Sequence, residues 1–245
     1  MRKIYVVLLV FIIYGSAAFA QSEGASEAFN RGTSAANDGQ FQLAKMYYES
    51  ALESLKQAGL NSSAQAAKIE YNLGVCNFRL GESGEAVKHF KLAVRLRDGK
   101  YQKAFYALGM AQTELGNWKA ARESYISAIN LKKDDPEAWF DLALIFCCEK
   151  NYDKAAEVFR AAIKYGASDL AASHNNLGVI LAFGGAIDSA EAEFQVAVSQ
   201  ADEKFPVARQ NLQILRAFRQ KHQPELLAKL EINKKENTNN EVKNR

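Results

Sequence analysis

The chain has 245 residues, 48% hydrophobic and 24% charged, with only three prolines, which suits a largely helical protein with ample material for a core. Its formal net charge is +3, and without Arg2 and Lys3 at the extreme N-terminus it holds 29 basic against 28 acidic residues. A balance that even carries no basic stripe for phosphate-backbone contacts, and nucleic acid is excluded as a partner.

Residues 1–20 are a different material from the rest. Met1-Arg2-Lys3 is positive, Ile4 to Tyr14 is an uninterrupted apolar run of eleven, and Ala18-Phe19-Ala20 ends it with small residues. That order predicts a secretory signal peptide cleaved after Ala20. Eleven apolar residues fall short of the roughly 20 that span a bilayer as a helix, so a retained membrane anchor is the lesser alternative. The mature chain is expected in the bacterial periplasm or cell envelope. Its three cysteines, Cys76, Cys147 and Cys148, cannot all pair within one chain. Two of them are adjacent on a predicted helix, a poor geometry for a bridge. They read as small buried or groove-lining thiols, with an intermolecular bond through Cys147 or Cys148 as the alternative.

From Ala25 onward one pattern returns. Phe105 to Asn130 predicts two amphipathic helices joined at Gly116-Asn117, with Gly109 inside the first and Ala121 where the second crosses it. Glycine in a helix costs roughly 0.5–1 kcal/mol against alanine, so it reads as a device for bringing two backbones close. Glycine-type sites recur at Gly32, Gly74, Gly109, Ala143 and Gly178, spaced 42, 35, 34 and 35 residues. Twelve residues after each come Ala44, Ala86, Ala121, Ala155 and Ala190. Sixteen after come Tyr48, Phe90, Tyr125, Phe159 and Phe194, and nineteen after come Ala51, Ala93, Ala128, Ala162 and Ala197. The long first spacing places a Gly/Asn/Ser-rich loop at Ala58 to Ser63. Beyond the fifth hairpin, Pro206 opens a helix to about Lys221 that caps the last apolar face. A short helix, Pro224 to Leu230, follows it, and residues 231–245 read as a disordered polar tail.

These registers resemble the tetratricopeptide repeat family, whose unit is a helix–turn–helix of 34 residues. Trp139 and Phe105 stand at the family's tryptophan site, while Ala28, Arg31, Glu70 and Ser83 depart from its large positions. The resemblance implies an all-α, right-handed superhelical α-solenoid of five hairpins (about 25–58, 67–100, 102–135, 136–169 and 171–204), with residues 205–230 as its capping region. It also implies that the first helix of each hairpin lines a concave, protein-binding face.

At 100° per residue, the sites three before, one after and four after each glycine cluster away from the packing stripe. They predict a groove lined by Phe29, Tyr71, Val75, Phe78, Tyr106, Met110, Phe140, Leu144, Cys147 and Val179, with Lys68, Arg79, Lys103, Glu114 and Glu137 at its rim. An apolar strip there predicts a ligand site; the alternative is that the curve tightens, or the tail folds in, and buries it. With Val75 and Met110 where a polar side chain would be needed, a clamp for a free C-terminal carboxylate is not assembled. No metal motif, phosphate loop or nucleophile elbow occurs, and His174 falls at a packing site. The expectation is a scaffold without catalysis, metal or cofactor, binding a protein or peptide segment of another envelope protein. A hydrophobic small molecule or lipid, or self-association through the same strip, are the alternatives.

Overall fold

The computed structural model describes residues 23–201 and 206–233. The signal segment at 1–20 and the tail from 234 lie outside the described residues. Described residues form helix α1 (23–37), then α2 (Phe41–Gln57), α3 (Ala64–Arg79), α4 (Ser83–Leu96), α5 (Gln102–Glu114), α6 (Trp118–Leu131), α7 (Pro136–Cys148), α8 (Tyr152–Lys164), α9 (Leu170–Phe183), α10 (Ile187–Gln200) and α11 (Pro206–Lys221). A 3₁₀ turn, Pro224–Lys229, ends the series, and no strand occurs among the described residues. The fold class is an α-solenoid of helix hairpins. Two units divide it, one reaching Asn117 and the other beginning at Trp118.

Each helix pair is joined by the same closure. Seven residues after each glycine-type site stand Gly39, Gly81, Gly116, Lys150 and Gly185, all at positive φ. In each case that residue's N–H bonds the carbonyl three back and the next N–H bonds the carbonyl five back, as in Gly39 to Ala36 (3.0 Å) and Gln40 to Ala35 (2.8 Å). Two orphan carbonyls are thereby satisfied, and the left-handed residue reverses the chain in three positions. Lys150, with φ of 58°, is the only one of the five that bears a side chain in this region. Residues 58–63 form the loop before α3, whose helix Ser63 caps by accepting the Ala66 N–H at 3.1 Å.

The alanines twelve and nineteen residues after each glycine-type site are all fully buried, and so are the aromatics between them. The glycine's own role differs from the expected one of facing an alanine. A Cβ built on Gly74 would lie 2.6 Å from Cδ1 and Cε1 of Phe90; on Gly32 it would meet Tyr48, and on Gly178 it would meet Phe194, at 2.8 Å. The aromatic ring sixteen residues on lies flat over the missing side chain. At Gly178 the alanine's backbone also comes close, with the Ala190 carbonyl 3.2 Å from the same point. Gly109 and Ala121 belong one to each unit.

Glu70 and His174, both out of character for a packing site, have a common explanation. Glu70 meets His89 Nδ1 at 2.6 Å, and His174 Nδ1 meets Glu193 at 2.6 Å. Both pairs join the site four before the glycine to the site fifteen after it, with acid and base exchanged between the second and fifth hairpins. His174 is therefore a hydrogen-bond partner of Glu193 within the hairpin rather than apolar filling.

Candidate functional site

The first unit carries a cavity of about 280 Å³ between α1, α2, α3 and the start of α5. Its walls are Phe29, Thr33 and Ala36 from α1, Phe41 and Tyr48 from α2, Tyr71, Asn72, Val75 and Cys76 from α3, and Tyr101. The walls hold one another in place. Thr33 Oγ1 donates to the Phe29 carbonyl at 3.0 Å and accepts from the Tyr48 hydroxyl at 3.3 Å. Tyr71 lies tilted against both Phe90 and Tyr101, with ring centroids 5.8 and 5.5 Å away. Rings locked by packing form a stiff apolar recess that needs little ordering when something enters it.

Two ammonium groups stand at this recess, Lys68 and Lys103, both exposed. Lys68 Nζ sits 4.7 Å from the centre of the Phe29 ring, a cation–π contact that places the charge over the wall. Neither lysine is paired with a carboxylate among the described residues. The phenols beneath stay neutral. Burial pushes Tyr48 up, with hydrogen bonds to Thr33 and Asn72 pulling partly back, and burial likewise raises Tyr101 against the opposing Arg97 charge. Burial also pushes the Cys76 thiol up to about 12, so it lines the recess as a small apolar group. The site can hold apolar side chains and attract a carboxylate beside them.

Among the predicted groove residues, Phe29, Tyr71 and Val75 are brought together in this cavity, and Phe78 packs partly buried beside the cluster of α4 and α5. Met110 in the first unit and Leu144 and Cys147 in the second are partly exposed. Three others are buried. Tyr106 is buried, and Phe140 is buried with its ring edge-on to Phe159 at 5.5 Å. Val179 is buried beneath the chain's own C-terminal residues, packed in one cluster with Leu212, Leu215 and Leu230. Counting helical angles from the glycine allowed for the second helix of the same hairpin but not for the packing of these three positions. The rim charges also sort differently. Arg79 stacks on Phe41 with its guanidinium 4.9 Å from the ring centre, and Glu137 is buried, accepting the Ser168 N–H at 3.0 Å. Residues 231–233, assigned to a disordered tail, are instead held by asparagine side chains.

Asn72, Tyr101, Phe41 and Tyr48 were missed as lining residues. Phe41 and Tyr48 belong to the second helix of the hairpin and Tyr101 precedes α5, so none of them falls in the first-helix rows that the glycine register defines. Asn72 carried a usable signal. It stands two before its glycine site, as Asn176 does in the fifth hairpin, and a polar amide repeated at one register of a packing helix must be met by a polar neighbour.

Comparison with known proteins agrees with this architecture. Curated relatives include the photosystem I assembly protein Ycf3 of Synechococcus elongatus, 24% identical over 137 residues, covering 49% of this chain and 79% of that protein. The Ycf3 of Rippkaea orientalis is 26% identical over 141 residues, covering 51% and 82%. Among solved structures, MamA superposes with a TM-score of 0.64 at 22% identity, covering 75% of this chain and 94% of that one. YrrB, described as a TPR protein with an unusual peptide-binding site, gives 0.61 at 23% identity, covering 76% and 91%. A tetratricopeptide repeat protein from Parabacteroides merdae gives 0.66 at 19%, covering 80% and 74%. These likenesses carry the fold. Family models of the tetratricopeptide repeat match residues 24–99 and, in two overlapping stretches, 106–169 and 149–208. With most of its length so matched, the chain belongs to the tetratricopeptide repeat family.

Proposed function

We propose that the protein is a non-catalytic scaffold that holds a segment of another protein in the aromatic recess of the first unit, and that it works in the cell envelope after export through residues 1–20. The observation that carries the reading is the union of apolar walls with two ammonium groups, Lys68 and Lys103, that pair with no carboxylate among the described residues. Apolar side chains of the partner would fill the space beside Phe29, Tyr71 and Val75, and an adjacent Asp or Glu would meet a lysine. A volume of about 280 Å³ suits a few side chains.

The test places a photo-crosslinking residue at Val75 in cells, identifies the adduct by mass spectrometry, and then measures the purified partner by calorimetry. Val75→Glu and the pair Lys68→Glu/Lys103→Glu are expected to weaken that partner by about tenfold or more at unchanged melting temperature. Lysine reversal should also flatten the salt dependence of binding. Unchanged affinity in both variants would reject the recess as the binding site. A lipid retained in native mass spectra of the wild-type chain and lost in Val75→Glu would favour the small-molecule alternative.

A further inference from the structure

The second unit closes on a run of chain that belongs to no hairpin. After α11 the backbone turns at His222, passes through the 3₁₀ turn, and leaves Leu230 extended with φ −67° and ψ 136°. Three asparagines then take hold of it by its backbone. Asn211 on α11 donates from Nδ2 to the Glu231 carbonyl at 2.8 Å and accepts the Glu231 N–H on Oδ1 at 3.0 Å. Asn176 on α9 does the same to Asn233, at 2.8 and 2.7 Å. Asn175 donates to the Glu231 carbonyl at 3.1 Å, and also links to Asn176 and to Asn211 at 3.2 and 2.9 Å. A primary amide presents one donor and one acceptor side by side, so each clamp imitates the edge of a neighbouring strand.

We propose that Asn175, Asn176 and Asn211 form a site that reads extended polypeptide backbone, and that Leu230–Asn233 is its displaceable internal occupant. The ligand class is an extended segment of another protein with apolar side chains at every second position. Its backbone is read without regard to sequence, because every clamp bond to this run goes to a main-chain N–H or carbonyl. Its side-chain preference follows from the present occupant. Leu230 and Ile232, two apart and therefore on one side of an extended chain, enter the cluster around Val179, Leu212 and Leu215, while Glu231 between them is exposed.

The balance of forces favours exchange. Among residues 222–233 only Leu230 is buried; Leu227 and Ile232 pack partly buried against the same cluster, so three apolar side chains hold the run beside the clamp bonds. The asparagines themselves are fully buried, and leaving their amides unpaired is costly. A site that is expensive to empty, yet filled by a segment with three apolar anchors, is one that trades one extended backbone for another. It is independent of the recess in the first unit.

The test uses the full chain and an eight-residue peptide copying Leu226–Asn233, labelled at its N-terminus and followed by fluorescence anisotropy. Glu231→Pro with Asn233→Pro removes both N–H groups that the clamps accept. Proline at 231 also keeps Leu230 in the extended region it already occupies. The doubly substituted chain is expected to bind the peptide at least about tenfold more tightly than the wild type, because a competing internal occupant lowers the competent fraction. A peptide with proline at the same two positions should not bind. Equal affinity of the two chains, or equal binding of the two peptides, would overturn the proposal. Native-state hydrogen exchange of the unmodified chain gives a readout that does not depend on the variant folding. The Glu231 and Asn233 amides should exchange through an opening far less costly than that of the α9 amides, and exchange of all of them only by global unfolding would equally overturn it.

Discussion

Gly74→Ala adds one methyl group where the structure has no room for it. The new Cβ would stand 2.6 Å from two carbons of the Phe90 ring, well inside ordinary contact, so the ring must retreat by about 1 Å. Phe90 is fully buried and is hemmed in by Tyr71, Ala86, Ala93, Ala107 and Leu108. Overpacking of this kind costs roughly 1–3 kcal/mol, against a helix-propensity gain of roughly 0.5–1 kcal/mol for replacing glycine. The net expectation is a loss of about 1–2 kcal/mol. Followed by circular dichroism in urea, that lowers the midpoint by roughly 0.5–1 M for a slope near 2 kcal/mol/M.

The fourth hairpin supplies the control. Ala143 occupies the equivalent site there, and the rings Phe140 and Phe159 meet at 74°, whereas Tyr71 and Phe90 meet at 47° and Phe29 and Tyr48 at 49°. The hairpin with a methyl group at this site has its rings closer to edge-on. Ala143→Gly should therefore destabilise as well, by about 1 kcal/mol from propensity alone. Gly74→Ala with Phe90→Leu should recover part of the loss, because a flexible side chain can yield where a ring cannot. A Gly74→Ala chain as stable as the parent would refute the seating of the ring on the glycine.

Three further outcomes are expected. His89→Leu strands the largely buried Glu70 carboxylate and should cost about 1–3 kcal/mol, while Glu70→His with His89→Glu copies the His174–Glu193 arrangement and should restore most of it in urea melts. Asn77 is fully buried with neither amide atom hydrogen-bonded, so Asn77→Leu should raise stability by about 1–3 kcal/mol, read as a higher urea midpoint. Cys148 is exposed and should react with maleimide in the native chain at pH 8, whereas Cys76 and Cys147, both pushed up to about 12 by burial, should resist until unfolding. Because folding keeps the Cys76 proton on while the unfolded chain loses it near pH 9, its contribution is intact below that pH and is lost as pH rises toward 12. Cys76→Ala should shallow that alkaline decline.

What the sequence made legible was the burial pattern that each hairpin repeats. The alanines and aromatics at twelve, sixteen and nineteen residues after each glycine are buried because helical repeat and a short turn bring them onto one seam, whatever lies elsewhere in the chain. The identity of the glycine's neighbour escaped because both the alanine and the aromatic fall on that seam, and only the rotamer of the ring decides which one covers the gap. Glu70 and His174 looked like defects when taken singly. Their partners sit nineteen residues on in both hairpins, so the paired positions carry the exchanged carboxylate and imidazole.

The candidate site was half legible for the same physical reason. Phe29, Tyr71, Val75, Lys68 and Lys103 were visible because they lie on first helices or at their rims, where the repeat register assigns a face. Val179 has the same register as Val75, yet one lines a cavity and the other is sealed. Nothing within either hairpin distinguishes them; Val179 is sealed from far along the chain, in one cluster with Leu212, Leu215 and Leu230. Composition pointed the wrong way there, since a polar, charged terminus reads as unstructured when judged by its own side chains. The order at 231–233 is imposed on its backbone by Asn176 and Asn211, and a main-chain contact leaves no mark on the sequence of the segment being held. Its mark is on the other partner. Asparagines that are fully buried on packing helices must find amide-like partners, and an extended run of the chain's own backbone is the partner that geometry provides.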